Sequence, residues 1–82
     1  MKVYVLHECI DSSDFYAESN VIAATKDRIW AIGKMANLFY ECRRANQPVD
    51  EDETWCTNWE AHVVCSGDNY YRHHWKIDEL EV

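Results

Sequence analysis

One stretch limits what this chain can fold into. Between Thr25 and Ala45 the apolar residues recur at helical spacing over five turns, and no other stretch does so. At 100° per residue, Ile29, Ile32, Met35, Ala36 and Phe39 form one stripe, with Tyr40 and Cys42 at its edges. Lys34, Asn37, Glu41 and Arg44 fall on the other side, and so do Trp30 and Leu38. Thr25 can serve as N-cap, with Asp27 in the first turn where a carboxylate suits the free N–H groups. Arg43 and Arg44 suit the carbonyl end, Asn46 can cap it, and Pro48 forbids continuation. A helix with one apolar stripe needs a surface to cover, and the flanking segments supply strands.

Lys2 to Cys9 alternates, with Val3, Val5, His7 and Cys9 on one face and Tyr4 and Leu6 on the other. Apolar groups on both faces suggest a central strand. Asp11-Ser12-Ser13-Asp14 reads as a turn, and Phe15 to Ala24 as a returning strand. Asn46 to Glu53 reads as an exposed, mobile loop, because four acids in succession, Asp50 to Glu53, repel one another.

Trp55 to Cys65 alternates as a third strand, with Trp55, Thr57, Trp59, Ala61, Val63 and Cys65 on one face. Gly67-Asp68-Asn69 reads as a hairpin loop leading to a last strand, Tyr70 to Val82. A three-residue loop sets Cys65 opposite Tyr71, Val63 opposite His73, Ala61 opposite Trp75 and Trp59 opposite Ile77, so the apolar faces coincide. On the outer face it sets Glu60 against Lys76 and His62 against His74. The expected architecture is α+β, one domain over residues 1–82. It is a ββαββ arrangement in which an antiparallel sheet of about four strands carries one long amphipathic helix on one face.

The opening Lys2-Val3-Tyr4-Val5-Leu6-His7-Glu8 and the closing Ile77-Asp78-Glu79-Leu80-Glu81 flank a short strand, a Ser/Thr cap and the helix. In this the chain resembles small, functionally uncharacterised bacterial and phage domains with a β-β-α-β core, a V-Y-V-L-x-H start and an I-D-E-x-E end. The matching parts are residues 1–9, 20–44 and 72–81. The acidic loop and the segment Trp55 to Cys65 depart from that pattern as an insertion would. The resemblance implies a fold but no catalytic residue and no cofactor.

Charge narrows the function classes. The net charge is -7, which disfavours direct nucleic-acid binding, because phosphate contacts need Lys and Arg. The segment from Thr25 to Ala45 is nonetheless basic, so the rest of the chain carries the acid. No apolar run suits a signal peptide or a membrane span, so a cytoplasmic location and four reduced cysteines are expected.

Motifs for chemistry are sparse. Cys56, His62 and Cys65 match no common zinc spacing, and His62 and Cys65 point to opposite faces of a strand. His62 beside His74 offers two ligands at most, and the expectation is two solvated strand histidines and no metal. His7 and Cys9 share a face about 7 Å apart at strand rise, too far for a nucleophile–base pair. No phosphate-binding glycine motif or nucleophile elbow is present. A chain this short buries only about 60% of its unfolded surface, too little for a deep active-site cleft.

The sequence is therefore expected to encode a small acidic non-enzymatic binding protein with no cofactor. Its protein partner would present a basic, nucleic-acid-binding surface, as a host defence or CRISPR nuclease does to a phage or mobile-element inhibitor. Asp50, Glu51, Asp52 and Glu53 are the expected contact residues, with Trp30 as an aromatic anchor. The alternative is a structural module that forms a homodimer through an edge strand or through its open sheet face, the face away from the helix, where Tyr4, Leu6 and Val64 are expected.

Overall fold

A computed structural model describes residues 1–12, 15–65 and 70–82. The elements run β1 (Lys2–Ser12), β2 (Phe15–Thr25), α1 (Arg28–Ala45), β3 (Trp55–Cys56), β4 (Glu60–Cys65) and β5 (Tyr71–Glu81). The strands form one sheet in the order β2-β1-β5-β4-β3, antiparallel at every pairing. α1 lies across one face. The fold is α+β as expected, but with five strands instead of about four.

The fifth strand arises because residues 55–65 do not form one run. The Thr57 hydroxyl accepts from the Trp59 and Glu60 amides at 3.3 and 3.1 Å and donates to the Glu60 carbonyl at 3.2 Å. The Thr57 amide also donates to that carbonyl, at 2.7 Å. One threonine thus supplies the turn chemistry that glycine or proline more often provides. β3 folds back on β4, with Trp55 opposite His62 and Cys56 opposite Ala61.

β1 takes the expected central place, paired with β2 on one side and β5 on the other. It runs on to Ser12, so Asp11 and Ser12 belong to the strand, while Ser13 and Asp14 lie outside the described residues. Gly67, Asp68 and Asn69 also lie outside them, but the register that their loop was expected to set is present. Cys65 pairs with Tyr71, Val63 with His73, Ala61 with Trp75 and His62 with His74. The Ile77 amide donates to the Trp59 carbonyl at 2.8 Å just beyond the ladder. Slipping β5 by one residue would carry Trp75 and Ile77 to the face opposite Ala61 and Val63, and that penalty fixes the pairing.

The helix face differs from the expected one. Asp27, not Thr25, is the N-cap: its Oδ1 accepts from the Trp30 amide at 3.1 Å, and Thr25 ends β2 instead, paired with Tyr4. Ala31, Met35 and Phe39 are the buried residues, with Ile32, Leu38 and Cys42 packed partly against the same core. Ile29 is 76% exposed. Ala31 and Ile29 stand about 200° apart around the helix, so burying one exposes the other. The buried stripe is turned by about 60° from the one that Ile29 and Ala36 suggested.

The sheet face under the helix also differs. Leu6, expected on the far side, is fully buried in the core with Ala61, Val63, Trp75 and Ile77, and Tyr4 packs against it. Leu6 lies opposite Ile77, and Ile77 shares its face with Trp75 and Ala61, so the apolar groups of β1, β5 and β4 gather on this face. Val64 does lie on the far face, and it is buried there.

Candidate functional site

The expected contact residues do not form one patch. Trp30 stands in the first turn of α1, 48% exposed, next to Arg28, whose guanidinium lies 4.8 Å above the Trp59 ring. Asp50 to Glu53 follow the other end of a helix about 27 Å long. The acidic segment is exposed at Glu51, Asp52 and Glu53 but well tied, where a free loop was expected. The Asp50 amide donates to the Val64 carbonyl at 2.8 Å, and Asp50 Oδ1 accepts from the Asp52 amide at 3.1 Å. Both Glu51 oxygens accept from Arg43 Nη2, at 2.8 and 2.7 Å. Thr54 is buried, and its hydroxyl accepts from the Val64 amide at 3.1 Å. The repulsion within the run is offset by Arg43 and by these bonds to Val64 on β4.

The uncovered sheet face carries a second constellation. Cys9, His74, His62 and Trp55 follow one another across β1, β5, β4 and β3 as register partners. The His62 and His74 rings stack at 4.0 Å and 10°, and the Trp55 ring lies 4.4 Å from His62. His62 is 7% exposed, so it is a buried group and not the solvated histidine expected. Glu60 turns its carboxylate to these rings, 3.6 Å from His62 Nε2 and 4.0 Å from His74 Nε2. The expected Glu60–Lys76 cross-strand pair has the right register but not the contact: Lys76 reaches Asp78 at 3.7 Å instead.

Burial disfavours the charged form of both rings. Burial pushes His62 below its ordinary range, Arg72 adds to the effect, and Glu60 opposes it. Burial and then the neighbouring His62 ring do the same to His74. Arg72 Nη2 donates to His62 Nδ1 at 3.2 Å. In that arrangement the neutral His62 carries its proton on Nε2, toward Glu60. His74 Nε2 is buried with no hydrogen-bond partner among the described residues.

A third group lies between helix and sheet, and sequence spacing gave no hint of it. His73 Nε2 meets Glu8 at 2.9 Å, while His73 Nδ1 is 2.9 Å from the Tyr71 hydroxyl and 3.7 Å from Cys42 Sγ. The residue types are those of a nucleophile, a base and an orienting acid, but the electrostatics are wrong for attack. Burial pushes the Cys42 thiol up, and it pushes the Tyr71 hydroxyl up as well. The Tyr71 hydroxyl, not the thiol, holds the shorter contact to the imidazole. We expect Cys42 to alkylate with iodoacetamide at pH 8 more slowly in the folded chain than in urea, read peptide by peptide in a mass spectrometer. Faster reaction in the folded chain would restore a catalytic reading. His7 and Cys9, the pair weighed from sequence, are separated in use: His7 Nε2 bonds to Asp78 at 2.6 Å.

Among the described residues, no helix is long and apolar enough to cross a membrane. Comparison with protein-family models, with curated proteins and with solved structures finds no match.

Proposed function

We propose that this chain is a small, acidic, non-enzymatic binding protein whose 50–53 edge engages a basic surface of a protein partner. The observation that supports this reading is the tethering of the acidic turn. Backbone pairing to Val64 and the Arg43–Glu51 bridge hold Glu51, Asp52 and Glu53 in place before any partner arrives, which reduces the ordering cost of binding. A net charge of -7 adds long-range attraction toward such a partner. A nucleic-acid-binding surface, such as that of a host defence or CRISPR nuclease, has the complementary charge. An inhibitor from a phage or other mobile element would act by covering it. Trp30 stands too far from the turn to share one small footprint, so it belongs to this reading only if the partner spans the helix.

The test is charge reversal that spares the tether. Asp52→Lys with Glu53→Lys leaves Arg43–Glu51 and the Asp50 turn in place. Immobilised wild-type chain is expected to retain basic nucleic-acid-binding proteins from a bacterial lysate and release them as salt rises. The reversed chain is expected to lose them. Equal retention of the same proteins by both chains would overturn the electrostatic reading.

The second reading, a homodimeric structural module, is favoured by one observation: β2 is an eleven-residue edge strand with Val21 68% exposed. Sedimentation at two concentrations separates the readings, since a mass that stays at one chain throughout contradicts the dimer.

A further inference from the structure

We propose that Glu60, His62 and His74 form a binding site for one divalent transition-metal ion of the Zn²⁺ type, on the sheet face that the helix leaves uncovered. The argument is independent of the acidic edge and rests on four observations.

The first is convergence. One ligand atom from each of the three residues lies within 4.8 Å of the other two. Around a tetrahedral ion with bonds of about 2.0–2.1 Å, ligand atoms sit about 3.3 Å apart. The separation between Glu60 and His62, 3.6 Å, is already near that value. The stacked imidazoles point their lone pairs side by side, so on binding the two rings must unstack and turn about χ2 to converge on one ion.

The second is rigidity. Glu60 and His62 alternate on β4, His74 is the register partner of His62 on β5, and Trp55 stacks on the His62 ring from β3. Two paired strands hold all three donors on one face, so little ordering remains to be done when an ion binds.

The third is the orphaned donor set. His74 Nε2 is buried without a hydrogen-bond partner among the described residues, although buried polar atoms normally have one. An ion on that nitrogen would satisfy it.

The fourth is the choice Glu60 makes. Lys76 lies directly opposite it in the sheet, yet the carboxylate faces the two imidazoles while Lys76 goes to Asp78. Two imidazoles and one carboxylate are a borderline set suited to Zn²⁺ and poor for Ca²⁺ or Mg²⁺.

One neighbour works against the site, and it sharpens the test. With Nε2 of His62 on the ion, its Nδ1 carries the proton and needs an acceptor, as metal-bound histidines usually have. Arg72 can only donate there. Arg72 is exposed and must swing away on binding, so Arg72→Glu supplies the missing acceptor and removes a repelling charge.

The experiment is calorimetric titration of the reduced, chelator-stripped chain with ZnCl₂ alone. Wild-type chain is expected to take up one equivalent. His74→Gln and Glu60→Gln are each expected to weaken binding by about ten-fold or more, the least that even an outer partner costs. Arg72→Glu is expected to tighten it by about ten-fold. His7→Gln is expected to leave it unchanged. Circular dichroism melts establish that each variant is folded, and Glu60→Gln and Arg72→Glu serve should His74→Gln not fold. The proposal is overturned by absence of saturable Zn²⁺ uptake in the wild type. Uptake that the folded Glu60→Gln and Arg72→Glu chains leave unmoved overturns it equally, because the ion is then held by other residues.

Discussion

Trp75→Ala is expected to lower the unfolding free energy by about 3–5 kcal/mol, the range for removing a buried tryptophan. Trp75 is 1% exposed, lies opposite Ala61 on β4 and Glu8 on β1, and stacks on His73 at 4.0 Å. It therefore binds the middle of the sheet to the helix. A chain of this length has total stability on the order of 4–12 kcal/mol, so the variant loses a large share of it. Urea denaturation at pH 7.5, followed by circular dichroism, measures the loss. Trp75→Phe separates the causes. The indole Nε1 has no hydrogen-bond partner among the described residues, so phenylalanine gives up packing volume but no bond, and it should cost less than alanine. A Trp75→Ala chain within about 0.5 kcal/mol of wild type would match a surface substitution and remove this residue from the core.

Met35→Ala is expected to cost about 2–5 kcal/mol, while Ile29→Ala stays within about 0.5 kcal/mol. Both residues are apolar, both lie on the same helix, and a sequence-based stripe includes both. Only Met35 is buried. The same denaturation curves decide the phase of the helix. Equal costs at the two positions would place the core where the sequence pattern first puts it, between Ile29 and Phe39.

That contrast shows where local pattern carries information in this chain and where it does not. The β4–β5 register is legible because period 2 is unforgiving: one choice aligns Ala61, Val63, Trp75 and Ile77, and the neighbouring choice scatters them. Helix phase is less constrained. Ile29, Trp30, Leu38 and Tyr40 put apolar groups on nearly every side, so several stripes look alike until a sheet is present to select one. The sheet selects small Ala31, which lets the backbone come close, and leaves Ile29 in water. The turn at Thr57 is hidden for another reason. A hydroxyl closes it, so no glycine or proline marks the break between β3 and β4.

The proposed metal site is half visible in the sequence. His62 and His74 become neighbours as soon as the register is known, and burial alone then separates a ligand pair from two solvated rings. Burial depends on Trp55 folding over His62, which follows from the unmarked Thr57 turn. Glu60 was visible only as a partner for Lys76, since sequence cannot say which of two nearby groups a carboxylate will face. The acidic edge was legible as charge, and its tethering to Val64 and Arg43 was not.

The central claim is that α1 covers the face bearing Leu6, Trp75 and Ile77 and leaves the face bearing His62 and His74 uncovered. Met35 reports on this directly, because the chain has only two methionines and Met1 is exposed at the terminus. The decisive measurement is a nuclear Overhauser spectrum of chain labelled at the methionine methyls. The account predicts cross-peaks from the Met35 methyl to side chains of the set Leu6, Ala61, Val63, Trp75 and Ile77. Cross-peaks from that methyl to the imidazoles of His62 and His74, with none to that set, would contradict it.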